Sequence, residues 1–251
     1  MDSIKIHVDW FDELLPDGLP LKTSTVITGP GGSGKPLIGE YMMSSWLKNG
    51  GSVILISLQY PNTEFVTESA KNLTGINLKD YEKNIVFVQL KTEIEGVEQI
   101  SPQLIHANLV KPEVWGQIID LASNQLPKQN LGILLFVSAL NILLFSPTYG
   151  DQVFDTIKQT ISQNKELSYL FAVSTTAKKE KIAELELLAD NLIRSYSEKN
   201  PFKLFMAIER IKKGDFLSKT IQIPVSADTL NHIKKLAEHS RKRVIPIISK
   251  I

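Results

Sequence analysis

Gly29-Pro30-Gly31-Gly32-Ser33-Gly34-Lys35-Pro36 matches the phosphate-binding loop (P-loop) pattern G-x-x-x-x-G-K-[ST] at every fixed position except the last. Glycines allow the backbone N–H groups of such a loop to turn toward phosphate oxygens, and the helix that follows presents its positive N-terminal end. Lys35 has the length and charge to reach the β- and γ-phosphates of a nucleotide. These eight residues are therefore candidates to bind ATP or ADP, with a purely structural turn as the alternative.

Strand and helix patterns alternate around this loop. A short β-branched run at residues 25–28 precedes it, and a helix-compatible stretch continues to residue 48. Further strands are predicted at residues 53–58, 85–90, 132–137 and 169–173, and further helices at 63–73, 113–126 and 153–161. Residues 92–111 show no clean period and are predicted to be loop and short helix. The alternation indicates a mostly parallel sheet with helices on both faces and ligand sites at the carboxyl ends of its strands.

The pattern changes after residue 191 to shorter apolar runs at residues 192–196, 204–211 and 220–224, separated by turn residues. These runs predict antiparallel strands at one edge of the sheet. Asp228 can cap a final helix that extends to about residue 243. We expect one α/β domain over residues 1–251, with a core at about 8–224 and a C-terminal helix and tail at about 226–251.

Composition excludes several classes of function. Lys and Arg number 28 against 27 Asp and Glu, so no overall field attracts nucleic acid or an anionic membrane. The absence of cysteine excludes disulfides, thiolate metal sites and a thiol nucleophile, and a cytoplasmic location is the default expectation. No apolar run is long enough to cross a membrane, the longest being residues 133–145.

Three further segments carry a family resemblance. Residues 8–20 (VDWFDELLPDGLP), 186–193 (ELLADNLI) and 208–214 (IERIKKG) resemble segments of the KaiC-like and RadA-like ATPases of the RecA superfamily, found in archaea and bacteria. The resemblance implies a three-layer RecA-like P-loop NTPase fold, a mostly parallel sheet with antiparallel edge strands, and ATP or ADP as ligand.

The chain departs from the family pattern where that pattern carries hydrolysis. Gln59 and Tyr60 stand where family members have two adjacent glutamates, one of which activates the attacking water. Val137 stands where an aspartate holds Mg²⁺ through water, and Pro36 replaces the P-loop hydroxyl that binds the ion. We therefore expect no catalytic residue and no metal site, with Mg²⁺ dependence weak or absent. Glu64, Asp120 and Asp151 are the acidic residues that could substitute.

Other positions have weaker functional interpretations. Arg210 and Lys212 correspond to cations that in ring-forming relatives reach a neighbouring subunit's γ-phosphate, and the alternative is two exposed cations on an edge strand. Ser174 follows the fifth predicted strand, where relatives place a γ-phosphate sensor. Basic residues of the last helix could contact DNA or an acidic partner; they are Lys234, Lys235, His239, Arg241, Lys242 and Arg243.

Three hypotheses for function remain open. The first is a nucleotide-binding regulatory protein with weak or no hydrolysis, acting through a protein partner or an active paralogue in DNA repair, recombination or signalling, either alone or as an oligomer. The second is a working ATPase or recombinase paralogue with unconventional metal ligation. The third is an interaction module that binds no nucleotide because Pro36 has closed the site.

Overall fold

A strand, a loop and a helix built from the glycine-rich stretch lie at the centre of the fold. The computed structural model describes residues 3–60, 62–127, 131–226, 228–229, 231, 235 and 238–251. In it, strand β3 is Ser24–Gly29 and helix α2 is Lys35–Lys48. All six residues of β3 are buried, as expected for a strand covered on both faces.

The remaining elements follow the alternation expected from the sequence. The strands are β1 (Ser3–Ile4), β2 (Leu19–Pro20), β4 (Ser52–Ser57), β5 (Ile85–Leu90), β6 (Val97–Ser101), β7 (Leu104–Ala107), β8 (Ile133–Ser138), β9 (Ser168–Ser174), β10 (Asn191–Lys199), β11 (Phe202–Arg210) and β12 (Thr220–Ile223). The other helices are α1 (Asp9–Leu14), α3 (Thr63–Thr74), α4 (Val114–Gln125), α5 (Gly150–Gln163) and α6 (Lys179–Leu188), with 3₁₀ segments at Leu78–Asn84 and Leu140–Phe145.

Ten of the described strands form one sheet in the order β12-β11-β10-β3-β9-β8-β4-β5-β7-β6. The strands from β10 to β7 in this order pair in parallel, whereas β11, β12 and β6 pair antiparallel to their neighbours. The predicted mostly parallel sheet with antiparallel edge strands is confirmed. Parallel pairing brings the carboxyl ends of β3, β9, β8 and β4 to one edge, next to the glycine-rich loop.

Helices cover both faces of the sheet and give the three layers expected of the fold. Helices α1, α2 and α3 contribute to one apolar cluster, which contains Phe11, Trp46 and Val66. Helices α4, α5 and α6 contribute to a second cluster on the opposite face, which contains Trp115 and Phe154. The apolar side chains of these helices therefore pack against the two faces of the sheet, and α2 is buried over most of its surface.

Two parts of the sheet differ from the prediction. Residues 92–111, expected to be loop and short helix, contain the antiparallel pair β6 and β7, with Pro102 in the connecting turn. The prediction was wrong because β6 is polar and largely exposed, so its sequence carries no clear apolar period. Strand β10 is an interior strand, parallel to β3 and antiparallel to β11, whereas we expected it among the edge strands.

The C-terminal region is only partly within the described residues. Residues 240–244 form a π-helical turn, and a short helix follows at Ile245–Ile248. Ile248 is fully buried in the cluster that contains Trp115. Six of the sixteen residues in the helix predicted at 228–243, among them Lys234 of the basic group, lie outside the described residues. None of the described helices has the length and apolar character needed to cross a bilayer.

Alanine substitutions at two helical glycines should change the stability of the protein in opposite directions, because only the glycine on α2 packs closely against the sheet. A Cβ atom added at Gly39 would collide with the ring of Phe136 on β8, whereas one added at Gly116 of α4 meets no atom within 4 Å. We expect Gly39→Ala to lower the free energy of unfolding by about 1–3 kcal/mol, because the core must shift to admit the methyl group. Gly116→Ala, the matched control, should raise it by about 0.5–1 kcal/mol, because alanine favours the helix. Urea unfolding measures both, and equal stabilisation by the two variants would contradict this packing.

Candidate nucleotide-binding site

The glycine-rich loop directs several backbone donors to one place. Gly32 and Gly34 have φ angles of 77° and 81°, in the left-handed region that favours glycine. The N–H groups of Gly32, Gly34 and Lys35 have no hydrogen-bond acceptor among the described residues. Free amides at the start of a 14-residue helix form an anion-binding site, because the helix dipole adds to their partial charges.

Lys35 lies inside this loop. Its Nζ donates hydrogen bonds to the carbonyl oxygens of Gly29 at 3.0 Å and Pro30 at 2.6 Å, and to Ser33 Oγ at 3.3 Å. Only 6% of the residue is exposed, and burial lowers the pKa of Lys35 to about 7. The three acceptors favour the ammonium form, and a phosphate group beside Nζ would favour it further. No described carboxylate lies within ion-pair distance of Lys35, so its charge is available to an anionic ligand.

The loop is held in place by residues far away in the sequence. Ser33 Oγ lies 2.6 Å from the hydroxyl of Ser195 on β10, and Ser195 also donates to the carbonyl oxygen of Thr28 at 3.2 Å. A Cβ atom at Gly34 would lie 2.7 Å from Leu204 Cδ1, so a side chain there would displace the end of this leucine on β11 and would also strain the left-handed backbone. Ser195 was not predicted from the sequence, because only the parallel pairing of β10 with β3 brings it to the loop.

A chain of polar groups connects the loop to the end of β9. Gly31 N–H donates to Thr176 Oγ1 at 3.0 Å, and Ser174 Oγ donates to the same oxygen at 3.1 Å. Ser174 N–H in turn donates to Asn141 Oδ1 at 2.9 Å, on the segment after β8. Of the two hydroxyls, Thr176 contacts the loop directly, and Ser174 reaches it through Thr176. The γ-phosphate sensor role suggested for Ser174 stays a prediction, to which Thr176 is now added.

The residues at the expected metal positions do not fit a magnesium ion held by the protein. Pro36 lies in the first turn of α2 and offers no side-chain oxygen, and Val137 is fully buried and aliphatic. Among the described residues, no group of three or more His, Cys, Asp or Glu side chains has the arrangement of a metal site. The three acidic substitutes are placed elsewhere: Glu64 and Asp120 are exposed on α3 and α4, and Asp151 forms an ion pair with Lys181.

Gln59 and Tyr60, which follow β4, have different surroundings. Gln59 is 8% exposed, and its Nε2 is buried with no hydrogen-bond partner among the described residues. Tyr60 donates its hydroxyl hydrogen to Glu40 Oε1 on α2, and Ser69 Oγ of α3 donates to Glu40 Oε2 at 2.7 Å. Tyr60 therefore joins the turn after β4 to α2 and α3, a role that the sequence did not indicate.

Glu40 is a buried carboxyl group on the helix that starts at Lys35. It is fully buried, and burial raises its pKa to about 8, although the hydrogen bond from Ser69 favours the ionised form. Desolvation therefore outweighs the stabilisation of the charge by this donor.

Arg210 and Lys212 make contacts within the chain. Arg210 Nη2 donates to the carbonyl oxygens of Glu186 and Ala189, the latter at 2.8 Å. Lys212 Nζ lies 2.6 Å from Asp190 Oδ1, and about half of the lysine side chain is exposed. These contacts tie the end of β11 to the segment between α6 and β10. A role of the two cations at a neighbouring subunit stays a prediction.

Comparison with protein families places this geometry in a known context. A family model described as "ATPase: KaiC" matches residues 4–213. The matched region contains the glycine-rich loop, Arg210 and Lys212. It also contains the ends of β4 and β8, where the sequence departs from the family pattern. A search of curated proteins gave no significant match.

Solved structures share the fold at low sequence identity. A KaiC-like protein of the hyperthermophilic archaeon Pyrococcus horikoshii OT3 is 14% identical and superposes with a TM-score of 0.66, covering 89% of this chain and 95% of that chain. The flagellar accessory protein FlaH of Methanocaldococcus jannaschii is also 14% identical, with a TM-score of 0.64, covering 90% and 95%. The RecA-like fold expected from the sequence is thus confirmed.

The raised pKa of Glu40 predicts a pH-dependent contribution to stability. The folded protein keeps the carboxyl proton up to about pH 8, whereas an ordinary carboxyl with a pKa of 4.5 has lost it. Between these values the unfolded chain binds fewer protons, so the free energy of unfolding falls as pH rises, by up to about 1.4 kcal/mol per pH unit. Glu40→Gln cannot ionise and should remove this dependence. Urea unfolding at about pH 6 and about pH 8 should show a smaller loss for the variant by roughly 2–3 kcal/mol.

Glu64→Gln is the matched control for this measurement, because it removes an exposed carboxylate from α3. It should follow the pH dependence of the wild type. If Glu40→Gln loses as much stability as the wild type over this pH range, then Glu40 is not protonated in the folded protein.

Proposed function

Because the chain belongs to the KaiC family of ATPases, we propose that it is a nucleotide-binding regulatory member in which ATP hydrolysis is weak or lost. The family implies nucleotide binding, and the loop geometry supports it. The proposal has three parts beyond nucleotide binding. ATP hydrolysis is impaired, nucleotide binding depends little on Mg²⁺, and the protein acts by regulating a protein partner.

The observation that carries the proposal is the combination of free amides and a buried lysine in one loop. Three N–H groups of the loop lack acceptors among the described residues, and the Lys35 ammonium lies beside them with no carboxylate to neutralise it. Groups of this kind bind the phosphates of a nucleotide in P-loop proteins. A structural turn would need neither the free amides nor the buried cation. ATP and ADP are therefore the proposed ligands.

Impaired hydrolysis follows from the same site. Phosphoryl transfer in P-loop enzymes depends on a metal ion that neutralises developing charge and on a group that positions the attacking water. Pro36 and Val137 supply no metal ligand, and Gln59 can orient water but cannot accept its proton as a carboxylate would. A protein that binds ATP without turning it over can act by presenting a nucleotide-dependent surface to a partner, such as an active paralogue.

Lys35→Ala tests nucleotide binding directly. Wild-type protein should bind ATP and ADP saturably in calorimetric titrations, and the variant should bind about 10- to 100-fold more weakly, because a charge-assisted contact to phosphate is lost. Lys48→Ala removes an exposed lysine from the other end of α2 and serves as the matched control, with no change expected. Absence of ATP and ADP binding by the wild type would favour a nucleotide-free interaction module and reject the proposal.

Hydrolysis is tested separately by phosphate release. In the presence of Mg²⁺ we expect the wild type to release phosphate from ATP no faster than Lys35→Ala does, because neither protein has the groups that hold the ion and the water. Release that depends on Mg²⁺ and disappears in Lys35→Ala would show a working ATPase with unconventional metal ligation. Titration and phosphate release together separate the three hypotheses.

A further inference from the structure

Two buried polar groups at the mouth of the sheet have no hydrogen-bond partner among the described residues. One is the hydroxyl of Ser138, the last residue of β8, which is fully buried. The other is Nε2 of Gln59, two residues after the end of β4. A buried donor without an acceptor is unfavourable, and proteins keep few of them. Both lie at the carboxyl edge of the parallel sheet, the edge that also carries the glycine-rich loop after β3.

Sheet register brings the two groups together. Ser138 pairs with Ser57 on β4. Gln59, two residues after Ser57, therefore lies just beyond the level of Ser138 at the carboxyl edge of the sheet. Both strands are parallel members of one sheet, and their carboxyl ends lie side by side. The two unpartnered groups therefore lie at neighbouring strand ends, on one edge of the sheet.

The packing of α2 places Ser138 below Lys35. The ring of Phe136 contacts Gly39 of α2, and Ser138, two residues later, faces the same side of the strand. From Phe136 to Ser138 the strand advances by about 7 Å. From Gly39 back to Lys35, α2 covers about 6 Å in the same direction, because the helix runs back over the sheet. Ser138 therefore reaches the level of Lys35 on the face that α2 covers.

We propose that the Ser138 hydroxyl and the Gln59 amide donate hydrogen bonds to the terminal phosphate of a nucleoside triphosphate bound without a metal ion. The inference rests on the proposed nucleotide binding and adds which form of the nucleotide the site selects. Anionic phosphate oxygens are the acceptors that two unpartnered donors and a lysine ammonium match. A magnesium ion would bring a positive charge to a place where the described residues at positions 36, 59, 137 and 138 offer no carboxylate.

With this arrangement, magnesium should have the opposite of its usual effect on ATP affinity. In a site built around Mg²⁺, the ion strengthens ATP binding because it bridges the phosphates to protein oxygens. Here the ion would compete with Lys35, Ser138 and Gln59 for the same phosphate oxygens. Mg²⁺ should therefore weaken ATP binding by keeping ATP in a form that the site does not accept.

Calorimetric titration of the full chain with ATP, in excess EDTA and in excess Mg²⁺, tests the inference. Wild-type protein should bind ATP more tightly in EDTA. In EDTA, Ser138→Ala and Gln59→Leu should each lower ATP affinity by about 10-fold, because each removes one donor to a charged oxygen. Affinity for ADP should change less, because ADP lacks the terminal phosphate.

Two further variants test whether the changes in ATP affinity are specific to the proposed donors. Ser123→Ala removes another buried serine hydroxyl that has no partner in the described part of the chain, from α4 on the opposite face of the sheet, and should leave ATP affinity unchanged. Gln59→Glu replaces the donor by a carboxylate of the same size, so ATP binding should weaken in EDTA and improve when Mg²⁺ is added. Thermal unfolding of each variant shows whether a change in ATP affinity results from a loss of protein stability.

The outcomes distinguish this inference from the proposed function. ATP binding that depends on Lys35 but is strengthened by Mg²⁺ in the wild type, or is unchanged in Ser138→Ala and Gln59→Leu, overturns the inference and leaves nucleotide binding intact. Absence of ATP binding in both solutions overturns the proposed function, and the inference with it. Tighter binding in EDTA, together with losses on substitution of Ser138 and Gln59 but not in Ser123→Ala, supports both.

Discussion

The enclosure of the Lys35 ammonium by the carbonyl oxygens of its own loop is the interaction on which the site depends. The loop must turn tightly enough to bring Gly29 and Pro30 to Nζ, and this turn uses left-handed backbone at Gly32 and Gly34. A side chain at Gly34 would also collide with the end of Leu204. Among the described residues no carboxylate pairs with this buried cation, and a purely structural turn would not need such a cation.

The rest of the site is arranged to keep the loop in position. Hydrogen bonds reach it from β10 through Ser195 and from the turn after β9 through Thr176. On the opposite side, Glu40 and Tyr60 join α2 to the turn that carries Gln59. Hydrogen bonds therefore connect the loop and its helix to β10, to the turn after β9 and to the turn after β4.

The parts of the structure that sequence predicted are those decided by local chemistry. Glycines and a lysine at fixed spacing specify the loop, and apolar runs bounded by turn residues specify β3, β4, β5, β8 and β9. The pair β6 and β7 was missed because its pairing depends on β5 rather than on its own pattern. Thr176, Ser195 and the Glu40–Tyr60 contact were missed for the same reason, since residues distant along the chain meet only in the folded sheet.

The burial of Val137 has a consequence for attempts to engineer a metal site into this fold. Its side chain has no exposure and belongs to the apolar cluster between the sheet and α4 and α5. An aspartate introduced at this position would be a buried charge unless a metal ion and its other ligands were introduced with it. A single Val137→Asp substitution would therefore lower stability without completing an ion site. Several substitutions would have to be made together, whereas the phosphate-binding loop could be left unchanged.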